Sequence, residues 1–390
     1  MGASAVSFEF AAPTRIIFGE GRVADVPKLV SGMGSRALVV QGRSGRAESL
    51  VRQLGEAGIA TTTIRVASEP TISLVEAGLA RARTEQCDVV VALGGGSVID
   101  AGKAISALLT NDAPVRDFLE VIGRARPLTN RAAPFIAIPT TAGTGAEVTR
   151  NAVLMAEEEQ VKVSLRSPLM LPAVALIDPE LTYSLPPSVT ASTGLDALTQ
   201  CIEPFVSPHA NPLSDAVARE GIRRASTALR RAFHDGDDRD ARRDMAVASL
   251  CGGLALANAK LGAVHGFASP LCGMFPVPHG VVCARLLPLV TEVNVRALRV
   301  RAPNALAVAR YDDVARVVTG DAGARAEDAV AWLRDLVAEL AVPGLASYGV
   351  RDADIPRVVA AARQASSMQG NPIVLTDAEL HEALGVAIPA

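Results

Sequence analysis

Residues 88–106 read DVVVALGGGSVIDAGKAIS. The first six, DVVVAL, form a short apolar run, the mark of a strand buried on both faces. Three glycines follow at once. Residues 98–109 then carry apolar side chains at helical spacing. Without a Cβ, the glycines let a ligand come close to the backbone. The helix N-terminus offers free N–H groups and partial positive charge, which suits a diphosphate. A tight turn without a ligand fits the same letters, although three glycines are costly in entropy unless they are used. A P-loop is excluded. Five residues, not four, separate Gly96 from Gly102, and Ala104 stands where a Mg²⁺-binding hydroxyl is needed. The G-x-G-x-x-G fingerprint is also absent.

Working outward, the first half alternates strands and helices. RALVVQ (36–41) reads as a strand, followed by turn residues Gly42, Ser44 and Gly45. Residues 47–58 are helical, TTTIRV (61–66) is β-branched, 72–84 are helical, and FIAI (135–138) is another strand ending at Pro139. This rhythm predicts a parallel sheet covered on both faces. From Pro187 the pattern changes to long Ala- and Leu-rich helices, clearest at 214–233, 242–261, 303–318 and 326–340. The expectation is an α/β domain over 1–187 and an all-α domain over 188–390.

Composition narrows the function. The 390 residues are 49% hydrophobic and 20% charged, which fits a folded chain. A net charge of −3 and 3% aromatic residues argue against nucleic acid as a partner. Five cysteines without a C-x-x-C pair argue against a disulfide framework and for the cytoplasm. MGASAVSFEF has no basic segment followed by an apolar core, so no signal peptide is expected. The apolar run 246–275 is broken by Asn258, Lys260 and His265 and ends its helix at Pro270. A buried helix fits it better than a membrane span, which needs about 20 nearly uninterrupted apolar residues. Only four lysines occur, Lys28, Lys103, Lys162 and Lys260, among many arginines. A retained lysine marks a place where arginine does not fit.

Two further groups carry chemistry. PTTAGTGAE (139–147) follows a strand and offers hydroxyls and open backbone to a ribose or phosphate; a plain loop fits equally. Asp196 and Gln200 lie four apart in a helical stretch, so both project from one face. His265 and Ser269 repeat that spacing, and His279 opens the next element. A carboxylate and two imidazoles suit Fe²⁺ or Zn²⁺. A satisfied core histidine is the plainer alternative. Cys201 lies about 140° round the helix from Asp196, off the ligand face, and Cys201 and Cys272 read as buried packing residues.

Taken in order, GGGSVIDAGKA, PTTAGTGAE, VKVSLRSPLMLPAVALIDPELTYSLPP, GLDALTQCIEPFVSPHANPLSD and GAVHGFASPLCGMFPVPHG resemble the iron-containing (group III) alcohol dehydrogenase family over residues 14 to 300 or so. The resemblance implies a dinucleotide-binding α/β domain, a helical metal and substrate domain, and a site in the cleft between them. It implies NAD(P)(H)-dependent interconversion of alcohols with aldehydes or ketones, assisted by a divalent metal. Gly95, Gly96 and Ser97 would bind the diphosphate, with Asp100 just beyond. Thr140, Thr141 and Thr144 would meet the nicotinamide end, and Lys162 the ribose. Asp196, His265 and His279 match three metal ligands. A small-molecule carbonyl or alcohol substrate and a homodimer or larger assembly are likewise implied, with no membrane partner.

The chain departs from the family pattern at three places. Gln200 stands where a fourth, histidine ligand is usual, and its neutral oxygen is a weak donor. Ser269 replaces a histidine near substrate, so the proton would come from water or a hydroxyl relay. At Gly42 many NAD-preferring relatives carry Asp; here Gly42 is followed by Arg43 and Ser44, which suit a 2′-phosphate. NADP(H) is therefore expected to be used, with Arg43 simply facing water as the alternative. The rival readings are a metal-independent reductase similar to maleylacetate reductases, a non-redox lyase or cyclase similar to dehydroquinate synthases, and a binding protein without turnover.

Overall fold

The computed structural model describes residues 7–389. Eight strands are present among them: β1 (Arg15–Phe18), β2 (Arg36–Gln41), β3 (Ala60–Arg65), β4 (Val89–Gly94), β5 (Phe135–Pro139), β6 (Asn151–Ala156), β7 (Val161–Arg166) and β8 (Val174–Ile177). Six form one sheet in the order β1-β8-β5-β4-β2-β3, with every pair parallel. The parallel α/β sheet expected from the sequence is therefore present. β6 and β7 form a separate antiparallel hairpin.

The strand letters explain the layering. Side chains alternate along a strand. Leu38, Val40, Val90 and Ala92 face one helical layer, while Ala37, Val39, Val89, Val91 and Leu93 face the other. The first layer is α3 (Ile72–Thr84) and α4 (Gly96–Leu109); the second is α1 (Val26–Ser31) and α2 (Ala47–Glu56). The short α5 (Val115–Phe118) joins the α3–α4 side. On α4, Ile99, Ile105 and Leu108 are fully buried, each contributing about 1.5–3 kcal/mol. Because β2 feeds α2 on one face and β4 feeds α4 on the other, the order of strand addition reverses between these neighbouring parallel strands. Ligands of open α/β sheets bind at such points.

The last sheet strand ends at Ile177. The remaining regular elements are helical: α6 (Pro187–Val206), α7 (Pro212–His234), α8 (Arg239–Ala259), α9 (Ala263–Met274), α10 (His279–Arg301), α11 (Leu306–Thr319), α12 (Ala326–Glu339), α13 (Ile355–Gln364) and α14 (Asp377–Ala387), with a few 3₁₀ turns between. Side-chain caps mark several starts. Asn211 forms a capping box on α7, and Asp238 caps α8. One large cluster centred on α6, α8, α9 and α10 is the core of this half.

The apolar run 246–275 breaks at Lys260, whose φ of 62° is left-handed, and α8 and α9 meet at 100°. No single helix among the described residues is long and apolar enough to cross a membrane. The bend turns α9 so that its first turn faces α6.

Candidate functional site

β4 ends at Gly94, Gly95 is the N-cap of α4, and Gly95 has no side chain to cap the helix. Val98 N–H and Ile99 N–H donate to Gly95 O. The Gly96 and Ser97 amides have no such partner, which is what an anion requires. The loop at 140–147 lies directly on this turn. Thr140 N–H donates to Gly94 O at 2.9 Å. A Cβ on Gly96 would lie 2.8 Å from the Thr144 side chain, and Thr141 is 3.6 Å from the corresponding point on Gly95. Glycine at 96 is thus demanded by close approach of the loop, and the two glycine- and threonine-rich motifs make one surface. Gly42, Arg43 and Ser44 follow β2 at the neighbouring strand end, where Gln41 pairs with Leu93. Arg43 and Ser44 are exposed.

Lys103 holds the loop from below. Its fully buried ammonium donates to Ala146 O (2.7 Å), Thr149 Oγ1 (2.8 Å) and Asn151 O (2.8 Å). Burial lowers the Lys103 pKa against the pull of Asp100 and Glu147. Burial likewise raises Glu147, despite Lys103.

Lys162, on β7, bridges to the helical half. Its Nζ pairs with Glu69 at 2.9 Å, and Glu69 accepts a long hydrogen bond of 3.5 Å from Ser97 Oγ. Burial alone would lower the Lys162 ammonium; Cys272 and Glu69 outweigh it and hold it above its ordinary value. Asp100, half-buried on the same side, is pushed up to about 6 by burial, with Lys103 opposing. The Lys162 carbonyl accepts from Ser269 Oγ at 3.5 Å. Ser269 lies one turn after His265 on α9. The hairpin therefore connects the glycine turn with the histidine cluster.

That cluster comes from three helices. Asp196 on α6, His265 on α9 and His279 at the start of α10 converge. Asp196 Oδ1 is 3.4 Å from His265 Nε2 and 3.6 Å from His279 Nε2. Asp196 and His265 are buried, while His279 is 33% exposed and forms the open side. Gln200, one turn after Asp196, is also buried. Cys283, one turn after His279 and fully buried, completes a group whose ligand atoms all lie within 4.8 Å of one another.

Two residues that sequence reasoning passed over hold this cluster in place. Glu203 Oε2 accepts from His265 Nδ1 at 2.6 Å, and Oε1 accepts from Val264 N–H at 2.7 Å. The carboxylate thus caps α9 and fixes the imidazole with Nε2 toward Asp196. It reaches so close only because residue 262 is glycine; a Cβ there would be 2.8 Å from Glu203 Oε1. The signal was present: 196, 200 and 203 share one helix face. The second is Cys283, at the same one-turn spacing from His279. Cys201, by contrast, bonds weakly to Ala248 O, away from the cluster. Cys272 is buried as expected, but its thiol lies beside His279 and Lys162.

The electrostatics suit a cation. Burial works to lower His265, but Glu203 and Asp196 outweigh it and push it up to about 10. Burial also opposes charge on His279, yet Cys283 and Asp196 raise it well above its ordinary value. Burial would raise Asp196, but His279 and His265 hold it far below the carboxylate range. A pocket that favours imidazolium has negative potential, which favours any positive charge. Asp196 Oδ1 and Gln200 Oε1 are buried and accept no hydrogen bond. Such orphans are costly unless something electropositive meets them. Tetrahedral ligands about 2.0–2.1 Å from a cation lie roughly 3.4 Å apart, close to the 3.4 and 3.6 Å edges seen here. The residues fit a divalent metal.

Comparison with known proteins agrees. The profile of the family "Iron-containing alcohol dehydrogenase" matches residues 13–179, and its C-terminal counterpart, "Fe-containing alcohol dehydrogenase family, C-terminal", matches 190–388. The chain is 37% identical to a choline dehydrogenase of Bacillus subtilis, covering 93% of this chain and 90% of that one. It is 36% identical to a 1,3-propanediol dehydrogenase of Klebsiella pneumoniae, covering 94% and 95%. The crystal structure of a 1,3-propanediol oxidoreductase superposes with a TM-score of 0.90 at 34% identity, covering 98% and 100%. That of a sulfoacetaldehyde reductase from Bifidobacterium kashiwanohense, in complex with NAD+, gives 0.85 at 28%, covering 98% and 99%. The chain belongs to the iron-containing alcohol dehydrogenase family, an NAD(P)-dependent and metal-assisted group of oxidoreductases that interconvert alcohols with aldehydes or ketones.

Proposed function

We propose that this enzyme reduces a small aldehyde to its primary alcohol with NADPH, using a divalent cation held by Asp196, His265 and His279. The observation that carries the reading is the orphaned Asp196 Oδ1 set between two imidazole nitrogens. The compounds named for similar proteins, choline, 1,3-propanediol and 4-hydroxybutyrate, all bear a primary alcohol. When bound, the cation supplies Lewis-acid polarisation of the carbonyl and the nicotinamide supplies hydride. Asp196 contributes charge to the site. Glu203 holds His265 in the tautomer that leaves Nε2 free. His279 lines the open, substrate side. Gln200 offers a neutral oxygen to the same shell. Ser269, on the His265 face of α9, relays a proton through its hydroxyl, alone or with water. The Gly95, Gly96 and Ser97 backbone binds the diphosphate, with Asp100 beside it. Thr140, Thr141, Thr144 and Lys162 orient the nicotinamide end toward the cluster. Elemental analysis of protein purified anaerobically without chelator or nickel resin should find about one Fe or Zn per chain. A metal-empty protein that still oxidises NADPH with an aldehyde would overturn the reading.

The preference for NADPH rests on Gly42, Arg43 and Ser44 at the end of β2. A guanidinium there recognises a 2′-phosphate and an acidic group would repel it. A Cβ on Gly42 meets only Val98, at 3.7 Å, so Gly42→Asp fits without strain. Gly42→Asp should turn the preference toward NADH. Arg43→Ala should weaken NADPH alone, by roughly 10–150-fold for the loss of one charge-assisted contact of about 1.5–3 kcal/mol. Steady-state KM values for both cofactors check this, and unchanged ratios would remove Arg43 from the site. We further propose a homodimer or larger assembly in the cytoplasm. Support comes from five free cysteines and from exposed Ile16 on the sheet's edge strand β1.

A further inference from the structure

We infer that Cys283 is a direct ligand of the cation, which makes the site a two-nitrogen, one-oxygen, one-sulfur set suited to zinc or cobalt more than to iron. The inference rests on the cation site proposed above and adds a ligand to it. Cys283 Sγ lies 3.6 Å from His279 Nε2 and 3.7 Å from His265 Nε2. A thiol has one proton and cannot serve two ring nitrogens at once. Near-equal distances place the sulfur between the two ring nitrogens, beside neither alone. Around a tetrahedral ion with bonds of about 2.3 Å to sulfur and 2.0–2.1 Å to nitrogen, the sulfur–nitrogen edge is roughly 3.5–3.6 Å. Both observed distances lie within about 0.2 Å of that edge, as the Asp196 distances do of the oxygen–nitrogen edge.

The donor count points the same way. Glu203 accepts the Nδ1–H of His265, so a His265 that gives up its second proton to a metal presents the Nε2 lone pair to the cluster. Asp196 Oδ1 presents another. Without an ion, these lone pairs can be met only by protons carried on the imidazoles or on the thiol. With an ion, the thiol proton leaves to solvent, and the thiolate and the Asp196 carboxylate balance the two positive charges. A neutral site is the arrangement that a buried environment tolerates best. A thiolate is also a soft donor, which selects zinc over harder ions. It is a stronger donor than the neutral oxygen of Gln200 beside it.

Cobalt substitution tests this directly. Metal-free full-length protein is titrated with cobalt(II), and absorption is recorded in the near-ultraviolet, where sulfur-to-cobalt charge transfer appears. The expected result is a charge-transfer band that saturates at one cobalt per chain. The band should persist in Cys272→Ser, whose thiol also lies beside His279, and vanish in Cys283→Ser. Zinc affinity of Cys283→Ser should fall by about 10–100-fold or more, the scale seen even for lost outer-shell partners. One bound cobalt with no charge-transfer band would overturn the assignment and leave the cation site standing. A band that survives in Cys283→Ser, or is lost in Cys272→Ser, would overturn it too. Failure to bind any cobalt would overturn both readings. If Cys283→Ser does not fold, the wild-type and Cys272→Ser spectra still decide.

Discussion

Asp196→Ala should lose the bound metal and about a thousandfold or more in kcat/KM, while still binding NADPH. Removing the carboxylate deletes a formal negative charge that faces both His265 Nε2 and His279 Nε2. Lewis-acid stabilisation of developing charge amounts to several kcal/mol, and each 1.36 kcal/mol is tenfold in rate. The loss is not spread through the fold. Asp196 accepts no hydrogen bond through Oδ1, so alanine leaves no donor stranded there. The glycine turn lies on another element, and cofactor binding, followed by NADPH fluorescence, should stay as in wild type. Metal analysis, kinetics and fluorescence on the same preparation separate the possibilities. Full activity in Asp196→Ala, and likewise in His265→Ala, would end the metal-assisted mechanism. Loss of NADPH binding would point instead to a general structural defect.

What the sequence made legible here is what lies on one element. Strand β4, its glycines and α4 are contiguous, so their order alone announces a turn with open amides. Asp196 and Gln200 sit on one helix face, and period 3.6 suffices to pair them. Contacts between elements are another matter. Nothing local says that Glu203 reaches across to the first turn of α9, because that contact depends on Gly262 and on the 100° break after Lys260. Glu69 lies between β3 and α3, and only the β6–β7 hairpin brings Lys162 to it. Neither strand of that hairpin announces itself in the sequence, since VKVSLR alternates weakly and NAVLMA resembles a helix as much as a strand. Cys283 was hidden by chemistry. A buried cysteine ordinarily packs as a small hydrophobe, and its role emerges only when its sulfur is seen between two imidazoles.

Lys103→Met should cost about 3–5 kcal/mol of stability, the penalty for deleting one partner from a buried charged cluster. Methionine keeps the length and apolar stem and removes only the ammonium. Asn151 O then loses its buried donor, while Thr149 Oγ1 and Ala146 O retain only their mutual bond of 3.1 Å. Asp100 and Glu147 lose the positive charge that faces them. Urea denaturation should show an earlier midpoint, and limited proteolysis should cut within 140–151 while the helical half stays intact. Lys103→Arg should not rescue. Three acceptors already match the three donors of an ammonium, and a planar five-donor guanidinium has no room at a fully buried position. That explains one lysine kept in a chain that elsewhere prefers arginine. The same clamp serves function, because the loop it fastens carries Thr141 and Thr144 onto the glycine turn. NADPH affinity should therefore fall along with stability. A Lys103→Met protein that melts like wild type would show that the three bonds only replace equivalent bonds to water.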